Sequence, residues 1–188
     1  MGLPEGDSKE KALRLVADLL EKESVAYALI GGVAVQLHSQ EPRTTRDIDL
    51  AVKTYADVPR EALLRAGFEH KGRHAHSDNW LAPGAGSEKG RTPVQFSAEE
   101  PALVGAVERA RLIDIDGLRV RLVTTPDLVI LKLAAAEEPK RRASKREHDL
   151  GDILALIEEH PEIESAIPRL ADRLQRIRAR ALTLGLER

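Results

Sequence analysis

Residues Tyr27 to Val52 read YALIGGVAVQLHSQEPRTTRDIDLAV. That order predicts a short apolar strand, a Gly31-Gly32 turn, a helix, a basic loop, and a second strand carrying Asp47 and Asp49. Alternate residues of a strand share a face, so the two carboxylates point together while Ile48 and Leu50 point to the core. Like charges held that close call for a counter-charge, and a divalent cation supplies one. Upstream, the two glycines let the backbone approach a ligand and open a helix whose free N–H groups suit a phosphate.

On the N-terminal side, Asp7 or Ser8 caps a helix from Lys9 to Lys22, with Leu13, Val16, Ala17 and Leu20 as its apolar face. On the other side, Asp57-Val58-Pro59 starts a helix that runs to Arg65 and stops at Gly67. A strand is expected over His74–Leu81, a glycine-rich loop over Ala82–Gly90, a strand over Thr92–Ser97 and a helix over Pro101–Arg109. Arg111–Ile115 and Leu118–Val123 flank Asp116-Gly117, a two-residue hairpin signal. From Thr125 strand signals stop. Helices are expected to about Glu137, over Ser144–His160, and over Glu162 to about Leu184, divided by Pro139 and Pro161. The expected fold is therefore α/β (α+β): a mixed sheet flanked by helices over residues 1–124, then a helical bundle over 125–188.

Composition narrows the function classes. Apolar residues make up 42%, enough for a real core, so disorder is not the default. The net charge of −2 gives no global attraction to nucleic acid. From Pro139 onward, 11 Lys and Arg face nine Asp and Glu, which places any nucleic-acid surface in the last third. With no cysteine, a disulfide framework, a thiol nucleophile and a cysteine zinc site are excluded. The polar start MGLPEGDSKE is no secretory signal, and no apolar run reaches membrane-spanning length. A soluble cytoplasmic protein with no membrane partner is expected. His74 and His76 share a strand face, but no third close ligand completes a zinc set. Trp80 and Tyr55 are too few for a base-stacking platform, and no Ser-His-Asp pattern is present.

The segments LIGGVAVQL and RTTRDIDLAV together resemble the nucleotidyltransferase fold of the DNA polymerase β superfamily. Its signature is a Gly-Gly or Gly-Ser turn followed by a spaced Asp-x-Asp; here Asp47 stands 15 positions after Gly32. TTPDLVILKLAA and KREHDLGDILALIE resemble nucleotidyltransferases grouped with the abortive-infection AbiEii toxins. The resemblance implies that Asp47 and Asp49 hold Mg²⁺ (or Mn²⁺) against the phosphates of an NTP, with Gly31 and Gly32 touching the triphosphate. It assigns Lys132 to phosphate contact and Asp149 to completing the site. Arg43 and Arg46, in the loop feeding the Asp pair, are placed to neutralise developing charge.

The implied reaction moves an NMP from an NTP to a hydroxyl of an RNA or tRNA end or a protein side chain, and the toxin resemblance implies a cognate antitoxin. Aminoglycoside- and lincosamide-modifying nucleotidyltransferases share the same motif, but they typically present an acidic cleft for a cationic drug, whereas the last third here is basic. One position departs from the superfamily. A third carboxylate is expected on a later strand, and in Pro93-Val94-Gln95-Phe96-Ser97 the matching position is Gln95. An amide carries no charge and accepts no proton, so a catalytically weakened nucleotide- or RNA-binding module is the third reading. On the helix from Ser144, Leu150, Ile153, Leu154 and Ile157 are expected to be buried, with Arg142, Arg146 and Asp149 along one edge. On the last helix, Ile167, Leu170, Leu174, Ile177 and Ala181 form the expected seam. Arg169, Arg173, Arg176 and Arg180 run beside it, read first as a solvated face and second as an RNA-phosphate track.

Overall fold

The stretch quoted above forms a strand, helix and strand in the computed structural model, which describes residues 8–39, 45–74, 76–84, 90–167 and 170–175. The elements are α1 (Ser8–Lys22), β1 (Tyr27–Ile30), α2 (Gly31–His38), β2 (Ile48–Val52), α3 (Arg60–Arg65), β3 (Glu69–His74) and β4 (Ser77–Leu81). They continue as β5 (Pro93–Ser97), α4 (Pro101–Arg109), β6 (Arg111–Ile115), β7 (Leu118–Leu122), α5 (Thr125–Glu137), α6 (Ala143–Glu159) and α7 (Ile163–Ala166). Seven strands make one mixed sheet in the order β3-β4-β5-β2-β1-β7-β6. β2 is central. It pairs antiparallel with β1 and parallel with β5, and β1 pairs parallel with β7.

Alternation puts Ile48 and Leu50 wholly inside and leaves Asp49 on the other face. Leu13, Val16, Ala17 and Leu20 of α1 are buried at their helical spacing, and α1 packs on β7 and α3. Helices α2 and α4 pack on β2, and α5 meets α2, α4, α6 and α7. Thr124 caps α5 by accepting from the Asp127 N–H at 3.3 Å, while Arg109 at the end of α4 grips the buried Asp127 carboxylate at 2.6–3.2 Å. Asp116 and Gly117 both take positive φ (51° and 76°), as a tight hairpin turn requires.

Four expectations need correction. The single strand His74–Leu81 is the hairpin β3–β4; β3 (EHKGRH) lies at the sheet edge, almost wholly exposed, so it carries no apolar alternation to reveal it. The helix from Asp57 begins later, because Tyr55–Asp57 forms a 3₁₀ turn closed by a Thr54–Asp57 capping box and Pro59 caps α3. The long last helix breaks after Ala166. Ile167 is extended at φ −107°, ψ 113°, the conformation that a following proline imposes. Finally, the buried residues of α6 are Asp149, Asp152, Ile153, Leu156 and Ile157, while Leu150 and Leu154 are only partly covered. Ile167, Leu170 and Leu174 are buried, and Arg173 pairs with Glu137 through Nε at 2.8 Å. Ile177, Ala181, Arg169, Arg176 and Arg180 lie outside the described residues.

The β3–β4 edge is pinned by a buried carboxylate. Asp78 is fully buried and accepts from His70 at 2.6 Å, Arg60 at 2.8 Å and Trp80 Nε1 at 3.2 Å; His70 also stacks on Trp80. Asp78→Ala strands the Trp80 N–H without its acceptor and removes two charge-assisted contacts, a loss of roughly 3 kcal/mol. A thermal melt should show the midpoint about 6–12 °C lower. A midpoint unmoved from the parent's would show that the cluster is not holding the edge.

Candidate active site

Asp47 and Asp49 sit at the mouth of β2, where β1 hands over to α2. In register, Asp49 lies opposite Ile30 on one side and Gln95 on the other. Gln95 leans toward the same face and donates from Nε2 to Asp47 Oδ2 at 3.4 Å. Thus Asp47, Asp49 and Gln95 share one face of the central strands. Gln95 occupies the register position beside Asp49 where a third acid was expected.

Gly31 opens α2 at φ +69°, a conformation only glycine adopts without cost. A Cβ there would lie 2.1 Å from Asp49 Oδ2, so the turn and the carboxylate are in direct contact. The Gly32 N–H donates to Asp49. Hence the Gly-Gly turn and the Asp-x-Asp strand form one structure rather than two neighbouring motifs. The far end of α2 is anchored as well: His38 donates from Nε2 to the Val123 carbonyl at 2.7 Å, Thr125 meets its Nδ1 at 3.1 Å, and His160 donates to the His38 carbonyl at 3.0 Å. Burial pushes the His38 pKa down, in keeping with a neutral ring.

The Asp pair is strained electrostatically. Burial, with the Asp47 charge beside it, pushes Asp49 up to about 6 from an ordinary 3.8. Lys132, the Gly32 N–H and Lys145 pull in the opposite direction. Lys132 comes from α5. Its ammonium lies 3.1 Å from Asp149 Oδ1 and 2.8 Å from Asp152 Oδ2, and Arg141 holds the other Asp149 oxygen at 2.6 Å.

The structure therefore brings Gly31, Gly32, Asp47 and Asp49 together and sets Lys132 within electrostatic reach of Asp49, with Asp149 bound to Lys132. Arg46 is exposed one residue before Asp47, and Arg43 lies outside the described residues. Arg142 and Arg146 were expected along one edge with Asp149; the arginine that pairs with it is Arg141, which precedes α6. Two participants were missed: Asp152 and Arg141. Asp152 was legible as the residue three after Asp149, on the same side of a helix. Arg141 was not, since a turn residue has no periodicity. His74 and His76 stand apart from this site, His74 closing β3 and His76 exposed beside Glu100. Among the described residues no group of three or more His, Cys, Asp and Glu forms a metal cage, and no helix is long and apolar enough to cross a membrane.

A family model described as "Nucleotidyl transferase AbiEii toxin, Type IV TA system" matches residues 14–186. The chain belongs to this family. No curated protein matches the sequence. Among solved structures, an antigenic nucleotidyltransferase-like protein from Paracoccidioides brasiliensis superposes with a TM-score of 0.59 at 19% identity, over 93% of this chain and 95% of that one. The lincosamide antibiotic adenylyltransferase LnuA, solved with lincomycin, gives 0.53 at 14%, over 78% and 97%. The antibiotic-resistance factor ANT(2'')-Ia gives 0.53 at 12%, over 93% and 99%. At these identities the likeness is one of fold: a nucleotidyltransferase-like mixed sheet with flanking helices.

Proposed function

We propose that this AbiEii-family chain is a Mg²⁺-dependent nucleotidyltransferase that moves an NMP from an NTP to a hydroxyl of an RNA or tRNA end or a protein side chain. The observation that carries this reading is the contact between the Gly31 turn and Asp49, with Asp47 and Lys132 beside it. The donor set fits a hard divalent cation: two carboxylates on one face, with burial and then the Asp47 charge raising Asp49, beside an amide on Asp47. Asp47 and Asp49 would hold Mg²⁺ (or Mn²⁺). When bound, the cation neutralises triphosphate charge and activates the attacking hydroxyl.

The chain's own groups do the rest. Gly31 and Gly32 leave room for the triphosphate against the first turn of α2. Lys132 supplies positive charge on the same side, and Arg46 and Arg43 add to it from the loop. The acceptor oxygen attacks the α-phosphorus in line and pyrophosphate departs. Gln95 accepts no proton, so the hydroxyl proton leaves to water rather than to a third carboxylate. Asp149, bonded through both oxygens, serves to hold Lys132. We read residues 1–124 as the nucleotide-binding unit and 125–188 as the helical part that brings Lys132 and Asp149 to it.

Lys140, Arg141, Arg142, Lys145 and Arg146 crowd the α5–α6 turn, and Asp49 feels the Lys145 charge. A basic approach favours an anionic acceptor over a cationic drug, which ranks antibiotic modification second. The family's toxin–antitoxin membership supports a cognate antitoxin as partner, and a cytoplasmic location accords with an NTP substrate. The test is incubation with each labelled NTP, Mg²⁺ and total tRNA, beside an aminoglycoside and a lincosamide arm. Label on RNA or protein that disappears in Asp47→Ala supports the proposal; label on the drug alone transfers it to the second reading. NTP binding without transfer, lost in Asp49→Ala, identifies a weakened binding module, and Gln95→Asp then tests whether the missing acid is the cause.

A further inference from the structure

Lys132 is more tightly held than phosphate contact requires. Its side chain is only 12% exposed, and the two carboxylates paired with the ammonium, Asp149 and Asp152, are 3% and 4% exposed. Asp149 is shared, because Arg141 takes its second oxygen at 2.6 Å. Asp152 Oδ2 lies 2.8 Å from the ammonium as an ion pair without hydrogen-bond geometry, whereas Asp149 Oδ1 accepts its hydrogen bond at 3.1 Å. The two acids stand one turn apart on α6 while the lysine stands on α5, so two carboxylates of one helix hold an ammonium of the other.

Stability alone is a weak reason for this arrangement. Desolvating several charges costs free energy that an apolar contact between two helices would not incur, and buried ion pairs are often neutral or worse against such a contact. What the brace does provide is a lysine with little conformational freedom left to lose. A free lysine surrenders rotamer entropy when a ligand orders it, and here that ordering is done in the folded protein.

We propose that Asp152 is a positioning residue that acts through Lys132, fixing its ammonium on the side of the cleft where Asp47 and Asp49 receive the triphosphate. The inference rests on the nucleotide reading of the site. Asp152 itself makes no contact with the nucleotide. Its loss leaves Lys132 to follow Asp149 and Arg141, and the triphosphate meets a lysine that is charged but misplaced.

The test is a double-mutant cycle of Asp152→Asn and Lys132→Met, with all four NTPs and Mg²⁺ titrated onto each protein and thermal melts run alongside. Asp152→Asn is expected to weaken NTP binding about tenfold, raising KM while the melt moves little. Lys132→Met is expected to weaken it at least as much, and the double variant to match Lys132→Met, since residues acting through one another are not additive. Asp152→Asn binding NTP as tightly as the parent, or losses that add in the double variant, would overturn the inference. A lowered melting temperature with unchanged KM would assign Asp152 to stability alone, which also overturns it. Should the parent bind no NTP, the nucleotide reading fails and this inference with it, an outcome distinct from parent-like binding by Asp152→Asn.

Discussion

Gly31→Ala is expected to reduce nucleotidyl transfer by about 100-fold or more, the scale of loss when a reacting geometry shifts by roughly an ångström. Two effects act together. The methyl group would lie 2.1 Å from Asp49 Oδ2 and 2.6 Å from its Cγ, so the carboxylate or the turn has to move. The backbone at φ +69° also favours glycine, and an L-residue there costs about 1–2 kcal/mol. Relief by rotating the turn would withdraw the Gly32 N–H from Asp49, further disturbing the same carboxylate. The check is transfer rate and NTP affinity side by side with a melt. The variant should still fold, with a loss of only a few degrees, but bind NTP weakly. A Gly31→Ala protein that transfers at the parent's rate would show that the Gly31–Asp49 contact has no part in the chemistry.

Asp49→Asn should move activity and stability in opposite directions. Transfer is expected to fall by about 1000-fold, because an amide replaces a charged oxygen donor at the proposed cation site. The metal-free protein, in contrast, should become more stable at neutral pH. Asp49 titrates at about 6 in the folded chain against 3.8 unfolded, so the folded state binds more protons between those values. Stability therefore declines as pH rises from about 4 to 6, and above pH 6 the charged carboxylate costs roughly 2–3 kcal/mol. Asn avoids that cost, and the melting midpoint at pH 7.5 should rise by about 4–12 °C. Near pH 4 both proteins carry a neutral group and the difference should close. A midpoint unchanged at pH 7.5, or a gain of equal size at both pH values, would show that Asp49 is not held against its own charge. Adding Mg²⁺ to the parent should recover part of the lost stability if the cation binds this pair, and a chelator should reverse it.

These two residues show how local signals combined. Gly31-Gly32 and Asp47-x-Asp49 were each readable because their chemistry is backbone-local: a glycine where φ must be positive, and two carboxylates two residues apart on a strand. Strands β1, β2 and β5 and helix α4 were readable for the same reason, as was the Asp116-Gly117 hairpin. Strand β3 was not, because an exposed edge strand needs no apolar face. The break at Ile167 was written in Pro168, but helical periodicity on both sides outweighed it.

By itself, then, the sequence determined the fold class and the order and spacing of the motifs, since these depend on residue patterns along single strands, helices and turns. Only the tertiary structure decided that Asp49 touches the Gly31 turn and that Gln95 sits beside Asp49 and bonds Asp47. It also decided that Lys132 is braced by Asp149 and Asp152 with Arg141 behind. Those contacts join groups 8 to 48 residues apart in the chain. No periodicity links them; burial and charge balance select the partners once the sheet and the α5–α6 pair have closed.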